Sequence, residues 1–215
     1  MNFNFEAAYI IENDRVLIRP LVKEDISHLL PFSLNEPELW TYSLVPAHGE
    51  ENLKKYMELA LAKREQHDSY PFIVYDKKTQ QYAGSTRFYD IQIQHNTVQL
   101  GYTWFGKAFQ GTGLNKHCKY LLFEFAFEKM GTERIGLGAY IENERSIRAM
   151  ESVGCQKEGI LRGIFPATNG IGRTDGILLS ILKNEWNENI KSELKKKLNK
   201  KPTHNGYGYE IVADK

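Results

Sequence analysis

The stretch "FGKAFQGTGLNKHCKYLLFEFAF" (Phe105 to Phe127) joins a strand-like run to a glycine-spaced turn and then to a long segment of helical periodicity. Leu114, Cys118, Leu121, Leu122, Phe125 and Ala126 recur at i, i+4, i+7, i+8, i+11 and i+12. So wide an apolar stripe predicts a helix packed deeply on a sheet. Gly111 and Gly113 let the backbone approach a ligand where side chains would block it. A strand, glycine turn and helix in succession aim several backbone N–H groups and the positive end of the helix dipole at one point, which suits phosphate. Gly106 to Thr112 lacks the lysine that a P-loop requires after its second glycine. The dinucleotide fingerprint fails too, since only Gly111 and Gly113 fit it and no βαβ unit is read around them. A pyrophosphate on a different ligand remains.

Outward from this stretch, "RVLIRPL" (15–21) reads as a strand ending against a proline, and Ile26, Leu29 and Leu30 follow at helical spacing. Leu53, Tyr56, Met57, Ala60 and Arg64 mark a second amphipathic helix over 50–66. "YPFIVYD" and "QYAGSTRFYDIQ" form a hairpin that "TVQLGYTWF" extends as a meander. Downstream, "RIGLGAYI" is a strand, and "NERSIRAMESVG" is a helix with Asn143 as N-cap and Gly154 just past its end. "GILRGIF" and "RTDGILLSIL" make a second hairpin around Asn169-Gly170. "NEWNENIKSELKKKLNKK" reads as a basic final helix. The organisation predicted is a single domain over 1–200 and a mobile tail over 201–215.

Composition excludes several classes. With 28 lysines and arginines against 27 acidic residues, the chain offers no general surface for nucleic acid. No segment has the roughly 20 apolar residues that cross a bilayer, and the N-terminus has no signal-peptide pattern, so a cytoplasmic protein is expected. Cys118 and Cys155 lack redox or metal spacing and read as reduced, structural thiols; the six histidines are scattered, with no H-E-x-x-H pair, so no metal is expected. Ser85 in "AGSTRF" lacks the G-x-S-x-G frame of a hydrolase elbow.

"GYTWFGKAFQGTGLNKHCKYLLFEFAFE", then "ERIGLGAYIENERSIRAMESVGCQKEGILR" and "DGILLSIL", resemble the GNAT superfamily of N-acetyltransferases, nearest the branch with the ribosomal-protein N-terminal acetyltransferases RimJ and RimL. The resemblance spans 13–188. It implies an α/β (α+β) GNAT fold, with a twisted, mostly antiparallel sheet of about seven strands and flanking helices. It also implies acetyl-CoA as cosubstrate, its pyrophosphate on Gln110, Gly111, Thr112, Gly113, Leu114 and Asn115, the last in place of a small residue. Trp104 and Phe105 match the strand whose backbone pairs with the pantetheine arm at a bulge. Asn143 matches a cofactor-contacting asparagine and Ser146 a residue near the thioester sulfur, the candidate catalytic donor; read locally, the two are a cap and a first-turn polar residue.

The implied reaction moves an acetyl group directly to a primary amine, with a protein or peptide N-terminal amine as the leading acceptor. A small amine such as a polyamine or an aminoglycoside-like compound is the alternative, as is a non-catalytic CoA-binding module. A homodimer is left open. Relatives often carry a glutamate base where this chain has Gln99, and an acidic residue where it has Tyr140. Glu142, Asp90 and Tyr102 are substitutes by location, while Arg87, Phe88 and Tyr89 lie on the strand that in relatives faces the acceptor. An α-amine, with a pKa of about 8, is partly neutral at pH 7 and needs little help from a base.

Overall fold

The computed structural model describes residues 1–199; the expected tail over 201–215 lies outside them. Short alternating and apolar runs form the sheet. β1 (Ile11–Glu12), β2 (Val16–Pro20), β3 (Ser69–Asp76), β4 (Gln81–Gln92) and β5 (Thr97–Phe105) come first, followed by β6 (Arg134–Tyr140), β7 (Gln156–Pro166) and β8 (Arg173–Leu182). They make one eight-stranded sheet in the order β1-β2-β3-β4-β5-β6-β8-β7. The strand beyond the expected seven is β1, two residues on the sheet edge that pair with β2 and are too short to show any period.

Every pairing is antiparallel except β5 with β6, which run parallel and are joined through α3 (Leu114–Glu124) and its π-helical continuation Phe125–Met130. This corrects the sequence reading: a βαβ crossover does surround the glycine turn. Parallel neighbours need a long connection, and the α3 segment supplies it. The dinucleotide fold is still excluded, because the remaining strands are antiparallel and the third glycine is missing.

Helices cover both faces. On one, α1 (Ile26–Asn35) and α2 (Glu50–Glu65) bury Leu29, Leu53, Tyr56, Met57 and Ala60 in a cluster that includes Trp40 and Trp104. On the other, α3 sinks Leu114, Cys118, Leu121 and Leu122, and α4 (Glu144–Ser152) adds Ile147 and Met150 to the main core. The predicted stripe of α3 is thus the packing face. The final helix runs as α5 (Lys183–Glu185), a π-helical stretch Trp186–Ile190 and α6 (Lys191–Asn199), anchored by the fully buried Trp186. Phe3 and Phe5, in a stretch with no regular period, are also core residues. Among the described residues no helix is long and apolar enough to cross a membrane.

Candidate active site

The site begins where β5 leaves β6. Their pairing covers only Thr97↔Arg134, Val98↔Ile135 and Gln99↔Gly136, so from Leu100 to Phe105 one edge of β5 has no strand beside it. A bulge sits in the same segment. The register against β4 moves from Arg87↔Gly101 to Ser85↔Trp104, two residues on β4 against three on β5. Tyr102 lies in this extra step with φ of 50°, a left-handed conformation uncommon for a bulky residue. A bulge re-aims side chains and opens the ladder, and here it does so beside a strand that is already splayed.

β5 then runs into the glycine turn. Gly111 (φ 72°) and Gly113 (φ 87°) both require left-handed backbone, and a Cβ added at either would meet open space. Conformation, together with room for close approach from outside, therefore explains the glycines; internal packing does not. The N–H groups of Gly111, Thr112, Gly113 and Asn115 find no acceptor among the described residues, and they stand at the positive end of α3. Thr112 turns its hydroxyl inward to the carbonyl of Phe109 at 2.7 Å. Leu114 is buried beneath the turn, and the Oδ1 of Asn115 is sealed from solvent without a partner among the described residues.

Gln110 uses both ends of its amide inside the protein. Its Nε2 donates to the carbonyl of Phe105 at 2.8 Å, and its Oε1 accepts from Arg145 at 2.6 Å. The sequence reading overlooked Arg145, although it lies inside the N-E-R-S run. Asn143 is the N-cap of α4, its Oδ1 accepting from the Ser146 N–H at 3.1 Å, as the local reading expected. The Ser146 hydroxyl has no partner among the described residues. The turn and the start of α4 therefore face each other across the mouth of the β5/β6 splay.

Trp104 buries its indole against Trp40 and Phe32, at ring distances of 5.2 and 5.8 Å, so only its backbone is available at the splay. Phe105 is core. Gln99 lays its amide on Gly136, where any Cβ would lie 2.4 Å from its Oε1. Among the candidate bases, the Glu142 carboxylate accepts from Thr174, Asp90 accepts from Gln92 at 2.6 Å, and Tyr102 stays half-buried at the bulge. Tyr140 stacks on Phe165 at 4.6 Å and borders a cleft of about 400 Å³ with Trp40 and His48.

Below the splay, Lys119 of α3 is 5% exposed and donates to Thr103 Oγ1 at 3.1 Å. Burial pulls its pKa down to about 8. Cys118 and Cys155 are buried free thiols, and burial raises both to about 12, in keeping with a structural role.

A family model described as an acetyltransferase (GNAT) domain matches residues 15–156, well over half of the chain. The chain belongs to the GNAT acetyltransferases. Among curated relatives of this GNAT enzyme, "Putative ribosomal N-acetyltransferase YdaF" of Bacillus subtilis is 30% identical over 105 residues, 48% of this chain and 55% of that protein. Among solved structures, a GCN5-related N-acetyltransferase from Brucella melitensis superposes with a TM-score of 0.79 at 23% identity, covering 90% of this chain and 86% of that one. Microcin C7 self immunity acetyltransferase MccE, solved with acetyl-CoA and AMP, shares the fold at 18% identity and a TM-score of 0.69, over 79% of this chain and 93% of that one. The GNAT membership makes this chain an acyltransferase of the mixed α/β type that its sequence motifs implied.

Proposed function

We propose that this GNAT enzyme transfers the acetyl group of acetyl-CoA to a primary amine, with a protein or peptide N-terminal α-amine as acceptor. One observation carries the cosubstrate assignment: an open cradle of unpartnered N–H groups at Gly111, Thr112, Gly113 and Asn115, one strand-end away from the splayed edge of β5. The cradle suits a pyrophosphate, and the free backbone edge between Leu100 and Phe105 suits the amides of a pantetheine arm. Acetyl-CoA supplies an activated thioester. The protein has to position the amine, stabilise charge on the carbonyl oxygen and donate a hydrogen bond to the departing sulfur.

Ser146 is the donor in this reading, since its hydroxyl is uncommitted at the first turn of α4 while its N–H is held by Asn143. Backbone N–H groups at the bulge supply carbonyl stabilisation. No strong side-chain base is required for an α-amine of pKa about 8, which agrees with an amide at Gln99. The cleft beside Tyr140 lies at the end of β6, the strand from which β5 splays, and gives the acceptor an approach from that side. Calorimetric titration with acetyl-CoA, with ATP and NAD as controls, tests the cosubstrate, and acetylation of N-terminal peptides against polyamines tests the acceptor. Selective acetyl-CoA binding without turnover of any amine would favour a CoA-binding module.

A further inference from the structure

We propose that a cavity beneath α2 receives a negatively charged group of the acceptor, a carboxylate or a phosphate, on Arg87. The cavity measures about 130 Å³ and is bordered by Ser69, Arg87, Tyr89 and Tyr102. Arg87 is 4% exposed, and its Nε is sealed from water without a hydrogen-bond partner among the described residues. Its guanidinium lies over the ring of Tyr102 at 4.2 Å and that of Tyr56 at 5.5 Å. No described carboxylate comes within ion-pairing distance of it: Asp68 on the cavity wall pairs with Lys63 at 2.9 Å, and Asp90 accepts from Gln92.

Two other arginines, just before β2 and within it, give the contrast. Arg15 grips Asp76 with two hydrogen bonds and Arg19 grips Asp25 the same way. A buried guanidinium without a counter-charge is costly, and aromatic faces offset only part of that cost. Its planar fork of donors matches an oxyanion, so a ligand bringing one would complete the site. Ser69 Oγ and the hydroxyl of Tyr56 are likewise buried without partners among the described residues, leaving two more donors in the same region. A volume of this size holds a few waters, at about 30 Å³ each, or one such anionic group.

Tyr102 ties the cavity to the reaction, because it is both a wall of the cavity and the left-handed residue of the β5 bulge. Arg87 itself pairs with Gly101 at the start of that bulge, so an acceptor held there with its amine on β5 brings a neighbouring anionic group beside Arg87. The inference rests on the acetyltransfer reading for the amine, and on Arg87 and its surroundings for the anion.

Two measurements test it. In the full-length, ¹⁵N-labelled protein, the Arg87 Nε–H resonance, identified by its loss in Arg87→Gln, is titrated with inorganic phosphate and with acetate. A saturable shift is expected with at least one, and the stronger of the two identifies phosphate or carboxylate as the preferred group. In parallel, matched acceptors are compared: glycine against glycinamide, O-phosphoethanolamine against ethanolamine, and a Ser-Glu against a Ser-Gln N-terminal peptide. Wild type is expected to favour one charged member by roughly tenfold or more in kcat/KM, and Arg87→Gln to abolish that ratio while binding acetyl-CoA normally. A saturable shift with no acetylation of any amine would keep the anion site and remove the acetyltransfer reading. Absence of a saturable shift with either anion overturns the anion site whatever the turnover, and an unchanged charged-to-neutral ratio in Arg87→Gln overturns its role in acceptor choice.

Discussion

Arg145 on α4 donates to the side chain of Gln110 in the glycine turn at 2.6 Å, and the same Gln110 amide donates to the last residue of β5. One side chain therefore links a strand end, a turn and a helix start, with Arg145 lying 35 positions beyond Gln110 in the sequence. The bond is exposed, so it adds little to global stability, and its value lies in holding the turn toward α4. Arg145→Ala is expected to change stability by less than about 1 kcal/mol. Acetyl-CoA affinity should fall by about two- to tenfold, since without this bond the turn has to be ordered on binding. Denaturant melts and calorimetry on the same sample separate the two effects.

Gly113 has left-handed backbone with open space before it. Gly113→Ala is expected to cost about 1 kcal/mol through the left-handed conformation alone. Gly113→Trp should add little further destabilisation, because the indole points outward, yet acetyl-CoA binding should disappear. Equal affinity in wild type and Gly113→Trp would remove the pyrophosphate from this turn.

Ser146 offers an uncommitted hydroxyl at the start of α4. Ser146→Ala keeps the Asn143 cap, which uses the backbone N–H, so folding should be unaffected. Turnover should fall by about 10²-fold or more, with acetyl-CoA affinity nearly unchanged. A proportional loss of both would make Ser146 a binding contact instead.

Among the described residues Lys119 is buried with Thr103 Oγ1 as its one hydrogen-bond partner, and its pKa is pulled down to about 8. Its charged form is disfavoured by folding. Below pH 8 the folded state bears the full cost of the buried charge; between pH 8 and the free-lysine value near 10.4 the unfolded chain binds more protons, so this group makes stability rise with pH by about 3 kcal/mol. Lys119→Met removes the charge at similar length. The variant should be about 1–3 kcal/mol more stable than wild type at pH 7, with the gap closing by about pH 10. The difference between the two proteins is the quantity to measure, because ionisation of Cys118 and Cys155 in the unfolded chain above pH 9 lowers the stability of both equally. A constant gap across that range would show that Lys119 is not buried as a charge.

Elements with regular spacing are legible in the amino-acid sequence. The stripe on α3, the hairpins, the cap at Asn143 and the left-handed glycines all express local geometry, in which side-chain direction follows directly from φ, ψ and position. The resemblance in the ordered motifs adds the family, which the match over 15–156 bears out. Strand β1 and the buried Phe3 and Phe5 are not legible in this way, because two residues have no period and an irregular segment has none either.

Packing between distant segments lies beyond such a reading. The parallel crossover around the turn, the early end of the β5/β6 ladder, the bond from Arg145 to Gln110, and the burial of Lys119 and Arg87 each depend on which strands and helices become neighbours. A lysine or arginine in a sequence reads as surface, since an isolated charge prefers water. The tertiary fold, by surrounding Arg87 with Tyr56, Ser69 and Tyr102 and giving the acids nearby to other partners, turns an ordinary charge into a candidate recognition group. Local conformations and the family are properties of the one-dimensional chain, because they follow from spacing along it. Convergence of side chains from separate elements follows from the packing free energy of the whole molecule, and it is decided in three dimensions.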